Sequence, residues 1–318
     1  MNVEKLVAAL GRLTPTLPGS RRQAFRYLAG AALPGLLGGA WQPAYGQAVL
    51  TGDVVAALKL ALSLEYLEYY FYVAALGDTQ AGGSALYRQL SATEQATLVA
   101  MRDDEQAHVT ALQTALGSQS IADPTARAFD YTAGASQLTP FASLADFLAL
   151  AQALEDLGVR AYKGALATLL NNKDLLTVAL TIHSVEARHA AHIRTLRRGG
   201  VAVAGADGGG PADSLPKSWV SLRENDGPLL ALTAAIYGPG LATTTGTGAV
   251  VPASAAEDNV TQARINVQAN STSPGAGLAL TLAAASEAFD EPLDGSRVKA
   301  IALSFVVGGQ ANTFGLFV

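Results

Sequence analysis

Two Glu-x-x-His pairs, Glu105/His108 and Glu186/His189, constrain this chain more than any other feature. Residues three apart lie on one face of an α-helix, so each pair aims a carboxylate oxygen and an imidazole nitrogen at one point. Both pairs interrupt apolar stripes that advance by threes and fours: Leu98, Met101, Glu105, His108, Leu112, and Ala179, Ile182, Glu186, His189, Ile193, Leu196. Two more segments carry the same periodicity with one carboxylate each. They read Leu58, Leu62, Glu65, Tyr69, Tyr72, Leu76, and Leu148, Ala151, Glu155, Gly158, Tyr162, Ala165. The spacing predicts an all-α chain whose four helices put Glu65, Glu105, His108, Glu155, Glu186 and His189 into one core. Unpaired charges there cost on the order of several kcal/mol, a cost that bound metal removes. Four carboxylates and two imidazoles from four helices form the ligand set of a carboxylate-bridged pair of metal ions.

Chance accounts poorly for the pattern. The chain has 11 Glu and four His in 318 residues. Two of four His preceded by Glu at that spacing arise at random about 0.7% of the time by template counting. The competing reading is a metal-free bundle whose Glu and His hydrogen-bond across the core. Hard oxygen donors with two borderline nitrogens suit two divalent ions of Fe or Mn, and ligand type does not separate the two metals.

Composition narrows the function classes. Half the residues are hydrophobic and 15% charged, so a sizeable core is expected. The net charge of −5, with no basic face in the pattern, argues against nucleic acid as a partner. The absence of cysteine excludes disulfides, thiol catalysis and iron–sulfur clusters.

Residues 1–48 read as an export signal. Arg21-Arg22 stand just before a moderately apolar stretch from Tyr27 to Trp41, too short to span a bilayer, and Gly46-Gln47-Ala48 offer small residues for cleavage. The twin arginine favours the twin-arginine route, which carries folded, metal-loaded proteins. Ala24 and Arg26 depart from that pattern, and an ordinary Sec signal or an uncleaved amphipathic tail is the alternative. The expected location is the periplasm or cell envelope.

Residues 49–200 hold the four helices. The first runs from about Asp53 to Leu76, with apolar residues on nearly every face, so something outside the bundle must cover it. Ser91-Ala92-Thr93-Glu94 is a capping box for the second, which Gly117 ends. The third extends from Ser143 to near Leu170, and a short Asn171-Asn172-Lys173 turn forces the fourth to run antiparallel to it. The longest connection, Gly117 to Ala142, lies between the second and third helices and makes one long crossover. Residues 201–318 form an accessory region expected to pack on the bundle. It is mixed, with irregular or extended chain from Thr243 to Pro274 and two short helices around Gly277–Phe289 and Gly295–Val307.

Several segments carry a family resemblance. Leu64-Glu65-Tyr66-Leu67-Glu68-Tyr69, Asp104-Glu105-Gln106-Ala107-His108 and Val185-Glu186-Ala187-Arg188-His189 resemble the exported ferritin-like proteins called desiccation-related proteins. The run from Leu154 to Tyr162 and Glu287-Ala288-Phe289-Asp290-Glu291-Pro292-Leu293 are similar to that group too. The resemblance spans essentially the whole chain after residue 48. It implies a ferritin-like bundle, an envelope or extracellular location and a link to desiccation stress, and it brings no defined reaction.

Other residues compete for roles near the centre. Glu68, three after Glu65, is its rival as the first-helix ligand. His183 and His192 extend the stepping of the fourth helix and are weighed as outer donors. Tyr69, Tyr72 and Tyr162 lie on the ligand stripes, either as core packing or as phenols touching the site. Gly158 leaves room on the third-helix seam for a small oxidant. The leading expectation is an exported di-metal oxidoreductase acting on peroxide or dioxygen, catalase-like with Mn and ferroxidase- or peroxidase-like with Fe. The other is a structural envelope protein with a vestigial or purely stabilising metal site. A homo-oligomer or assembly component is the expected state for both.

Overall fold

Four long helices form the body of the molecule: α1 Gly52–Leu76, α2 Ala92–Leu116, α3 Leu144–Leu169 and α4 Lys173–Arg197. The computed structural model describes residues 50–134, 138–199, 217–223, 230–244, 250–251, 253–268 and 280–317. The expected export signal, residues 1–48, lies outside them.

Local chemistry sets the helix ends. At α2 the capping box forms in full: Ser91 Oγ accepts from Glu94 N–H at 3.3 Å, and the Ser91 N–H donates to Glu94 Oε2 at 2.7 Å. Ser143 Oγ accepts from Asp146 N–H to open α3, and Asn172 Oδ1 accepts from Leu175 N–H to open α4. Gly77 ends α1 at a φ of 66°, in the left-handed region where glycine carries no Cβ penalty.

The tightest packing is within two antiparallel pairs, α1 with α2 and α3 with α4. The pairs meet mainly through α1 and α3. The 117–143 crossover joins them and is pinned to α1 by the buried Tyr131 hydroxyl, which donates to Leu67 O at 2.8 Å. Tyr131 and Phe141 also pack against Phe71, whose ring stacks on Phe147 of α3 at 5.2 Å.

Beyond α4 the described residues add α5 Leu230–Ile236, α6 Leu282–Ser286, α7 Gly295–Leu303 and α8 Gln310–Phe314. Two antiparallel ladders accompany them, β1 Thr243–Thr244 with β2 Val250–Val251, and β3 Thr261–Gln262 with β4 Ile265–Asn266. The first of the two expected short helices shrinks to α6. Its C-cap residue Glu287 turns its carboxylate to Lys217, Trp219 and Ser221, and the chain leaves the helix there. The second stops at Leu303 because Val306 pairs across a bridge with Phe129 of the crossover. Neither α5 nor α8 was expected from the sequence.

Helix α7 packs against both α1 and α3. Leu293 N–H donates to Arg160 O at 3.0 Å, and Phe317 N–H donates to the buried Ser63 Oγ at 3.1 Å. On α1 every residue from Leu62 to Glu68 is buried, and Phe305, Leu316 and Phe317 are at most 1% exposed. The apolar faces of α1 that do not meet the bundle therefore meet the crossover and the C-terminal chain. At about 25 cal/mol per Å² of apolar surface, each such aromatic side chain contributes roughly 2–3 kcal/mol.

Candidate metal centre

All six residues singled out by spacing converge in the bundle core. Two overlapping groups form. Glu65, Glu105, His108 and Glu186 make one, and Glu105, Glu155, Glu186 and His189 make the other. In each group the possible ligand atoms all lie within 4.8 Å of one another, and every member is buried. Glu105 and Glu186 belong to both groups, so the two Glu-x-x-His carboxylates sit in the middle. Glu65 and Glu155, the lone carboxylates of α1 and α3, stand at opposite ends.

Distances refine that order. His108 Nδ1 lies 3.0 Å from Glu105 Oε2, 3.1 Å from Glu65 Oε2 and 3.2 Å from Glu186 Oε1. His189 Nδ1 lies 2.8 Å from Glu105 Oε1 and 3.3 Å from Glu155 Oε2. Glu105 thus spreads its two oxygens between the two imidazoles, whose ring centres are 6.4 Å apart. Each end carboxylate turns one oxygen to an imidazole and gives the other to a phenol. Tyr162 donates to Glu65 Oε1, and Tyr72 donates to Glu155 Oε1. On its far side His189 Nε2 is 3.3 Å from Asp104 Oδ2. A carboxylate there holds the Nε2–H tautomer and leaves the Nδ1 lone pair facing the cluster.

Burial and mutual charge shift nearly every group. Burial pushes Glu65 up to about 7 even though His108 pulls it down. Glu155 is raised by burial against the pull of His189. Glu186 and Glu68 stand well above the carboxylate range through burial, compounded by the surrounding carboxylates. Burial also opposes ionisation of Glu105, but His108 and His189 outweigh it and hold that carboxyl well below its ordinary value. Burial disfavours charge on both imidazoles, yet the adjoining carboxylates carry His108 and His189 well above the usual range. With no cation, this cluster keeps its charge down by holding protons.

The donor set fits metal ions. Glu105 Oε1, Glu155 Oε2, both oxygens of Glu186 and His189 Nδ1 are buried without a hydrogen-bond partner. His189 Nδ1 and Glu105 Oε1 approach to 2.8 Å, yet not in hydrogen-bond alignment. Buried polar atoms left unsatisfied cost about 1–3 kcal/mol each. Atoms that crowd together without donating to one another are the arrangement that ligands adopt around a shared cation. The buried Glu and His groups can therefore hold metal ions.

The remaining candidates fall elsewhere. His183 Nδ1 lies 3.0 Å from Val159 O, outside both groups, and burial lowers its pKa. His192 is also outside them, near Glu94, whose carboxyl it helps to lower. Tyr69 packs on Tyr70 with ring centres 4.9 Å apart. Gly158 does not leave free room for an oxidant: a Cβ there would lie 2.6 Å from Glu186 Oε2 and 3.2 Å from Glu68 Oε1, so carboxylates use that space. Sequence reasoning missed Asp104, and no spacing could have found it, since its partner lies on another helix.

It also missed a polar network on the other side of α3. Arg194 donates to Asp156, as does the Tyr237 hydroxyl. Arg160 Nε lies 2.8 Å from Glu257 Oε1. The Arg160 guanidinium also donates to the carbonyls of Ile236, Gly238, Ala255, Glu291 and Pro292. Burial pushes the Glu257 carboxyl up to about 8, against the pull of Arg160.

No curated protein and no solved structure matches the chain. Residues 53–198 match the family model described as a ferritin-like domain. That span begins within α1 and ends just after α4, and it contains all six clustered residues. With two antiparallel helical pairs, one long crossover and a buried Glu/His core, residues 53–198 form a ferritin-like four-helix bundle.

Proposed function

We propose that this protein is an exported di-metal protein that uses two Fe or Mn ions in peroxide or dioxygen chemistry, in protection against oxidative and desiccation stress. The observation that carries the di-metal reading is the overlap of the two four-residue groups at Glu105 and Glu186. Two shared carboxylates flanked by one Glu and one His on each side make two adjacent positions rather than one. Four carboxylates with neutral imidazoles match the charge of two divalent ions. A bound pair of redox metals would supply one-electron exchange at each ion for peroxide or dioxygen chemistry.

The chain's own groups then have definite tasks. Glu65 and Glu155 each offer one oxygen inward while Tyr162 and Tyr72 hold the other. Asp104 keeps the proton of His189 on Nε2. The least buried edge of the cluster is the imidazole side, with His108 7% and His189 5% exposed against 0–1% for the four carboxylates. A small oxidant reaches the centre most directly past those rings. Stress protection and export rest on the resemblance to desiccation-related proteins and on the Arg21-Arg22 signal.

Metal analysis of protein isolated from its native compartment, followed by an assay of peroxide consumption, tests the reading. Two equivalents of Fe or Mn with metal-dependent turnover are expected. Bound metal without turnover would point to a purely stabilising site in an envelope protein, and absence of metal would overturn the di-metal reading. Replacing Arg21 and Arg22 by Lys is expected to leave precursor in the cytoplasm. Normal export of that variant would assign the Sec route.

A further inference from the structure

The two helical pairs repeat one pattern. Glu65 corresponds to Glu155, Tyr72 to Tyr162, and Glu105/His108 to Glu186/His189. The correspondence fails at one position beside the centre. Three residues after Glu65 stands Glu68, and three after Glu155 stands Gly158. The failure is complementary: Glu68 Oε1 and Glu186 Oε2 both crowd the point that a Cβ on Gly158 would occupy, at 3.2 and 2.6 Å. A glycine on α3 thus makes the space that a carboxylate from α1 fills.

Glu68 is 1% exposed, and its Oε2 is buried without a hydrogen-bond partner. Such an oxygen costs about 1–3 kcal/mol, more when it is charged, and a cation is the partner a buried carboxylate needs most. Glu68 stands outside both four-residue groups of the metal-free fold. Extending the di-metal reading, we propose that its unpartnered oxygen turns in as a seventh ligand, joining Glu65, Glu105, His108 and Glu186 around one of the two metal positions. Its place on that side follows from the helix. Glu65 and Glu68 are one turn apart on α1 and share a face, whereas Glu155 belongs to the opposite end.

The consequence is an inequivalent metal pair. One position has three carboxylates and an imidazole, and the other has the same set plus a fourth carboxylate. The additional anionic donor makes the Glu68 position the tighter one and the one better suited to an ion of higher charge.

Titration of the metal-free protein with Co(II), followed by calorimetry and visible absorption, tests this without relying on turnover. Wild-type protein is expected to take up two equivalents with distinct affinities and distinct spectra. Glu68→Gln, which keeps the shape and removes the charge, should weaken the tighter equivalent on the order of ten- to a hundredfold and leave the other unchanged. Combined with His189→Ala, Glu68→Gln should weaken the equivalent that remains. Combined with His108→Ala, it should not. Two wild-type equivalents with equal affinity and identical spectra would overturn the proposal, as would a Glu68→Gln variant with both affinities intact. If that variant does not fold, the wild-type spectra decide. A wild-type protein that binds no Co(II) would sink the di-metal reading itself, and this inference with it.

Discussion

Tyr72 of α1 donates its phenolic hydrogen to Glu155 of α3, while Tyr162 of α3 returns the same bond to Glu65 of α1. Each phenol lies seven residues beyond the carboxylate of its own helix and serves the carboxylate of the other. The exchange ties the two helical pairs together at the centre and orients both end carboxylates. Replacing either tyrosine with Phe leaves a buried carboxylate oxygen without its donor, which costs about 1–3 kcal/mol of metal-free stability. Metal affinity should fall on the order of ten- to a hundredfold at the position whose carboxylate lost its support. Urea denaturation and metal titration read the two effects separately. Wild-type affinity in the Tyr72→Phe, Tyr162→Phe double variant would show that the phenols only fill space.

The central place of Glu105 separates it from the end residues. Its two oxygens face different imidazoles, at 3.0 Å and 2.8 Å. Glu105→Ala should therefore reduce binding at both metal positions, whereas His189→Ala should spare the position formed by Glu65, Glu105, His108 and Glu186. Metal content by mass spectrometry after gel filtration is the readout. Two equivalents retained by a Glu105→Ala, His189→Ala double variant would remove the cluster as the binding site.

The same proton-laden cluster predicts opposite pH responses with and without metal. In the metal-free fold the Glu65 pKa is raised from 4.5 to about 7, and Glu68 and Glu186 are also raised. Such groups hold more protons folded than unfolded, so their contribution is full below their ordinary pKa and is lost as pH rises through the folded value. His108 and His189, also raised, act in the same direction above their ordinary 6.5. Glu105 alone among the six acts oppositely: its stabilisation is lost as pH falls below its ordinary 4.5. The metal-free Tm should therefore drop as pH is raised from about 5 to about 8. Metal competes with those protons, so its affinity, and the Tm gained by adding it, should rise over the same range. Scanning calorimetry at matched ionic strength checks both. A metal-free Tm that climbs with pH would contradict the protonation pattern.

The bundle was legible because its signals are local and periodic. The Ser91–Glu94 capping box, the Gly77 and Gly117 stops and the three-and-four stepping each depend on residues within one helix. Glu105/His108 and Glu186/His189 were legible for the same reason, since one helix turn brings each pair together. What escaped depends on partners far along the chain. Asp104 matters through His189, 85 residues away, and Arg160 through Glu291, 131 residues away. Short elements such as α5 and α8 give too few residues to show a period, and α6 ends where Glu287 meets residues 217–221 rather than at a local stop signal. The use of the Gly158 space by Glu68 and Glu186 has the same origin, because the gap lies on α3 and its occupants come from α1 and α4.

Arg160 is the residue through which the bundle holds its C-terminal chain. It projects from α3, is 2% exposed, and gathers Glu257 and the carbonyls of five residues between Ile236 and Pro292. Its neighbour one turn away, Asp156, is bound by Arg194 and Tyr237, so α3 carries one polar network outward and Glu155 inward to the cluster. Arg160→Met keeps most of the packed volume but leaves Glu257 and the carbonyls without their donor. Each buried acceptor left without its donor costs about 1–3 kcal/mol, so a loss of several kcal/mol in global stability is expected. Glu257→Gln, which leaves the carbonyl bonds in place and still offers Arg160 an oxygen, should cost distinctly less. Because the C-terminal chain lies on α1 through α7 and Phe317, Arg160→Met should also expose apolar surface and bind a hydrophobic dye below the unfolding transition. Urea denaturation together with dye fluorescence makes the test. An Arg160→Met variant with wild-type stability and no dye binding would show that the apolar contacts alone hold the C-terminal chain in place.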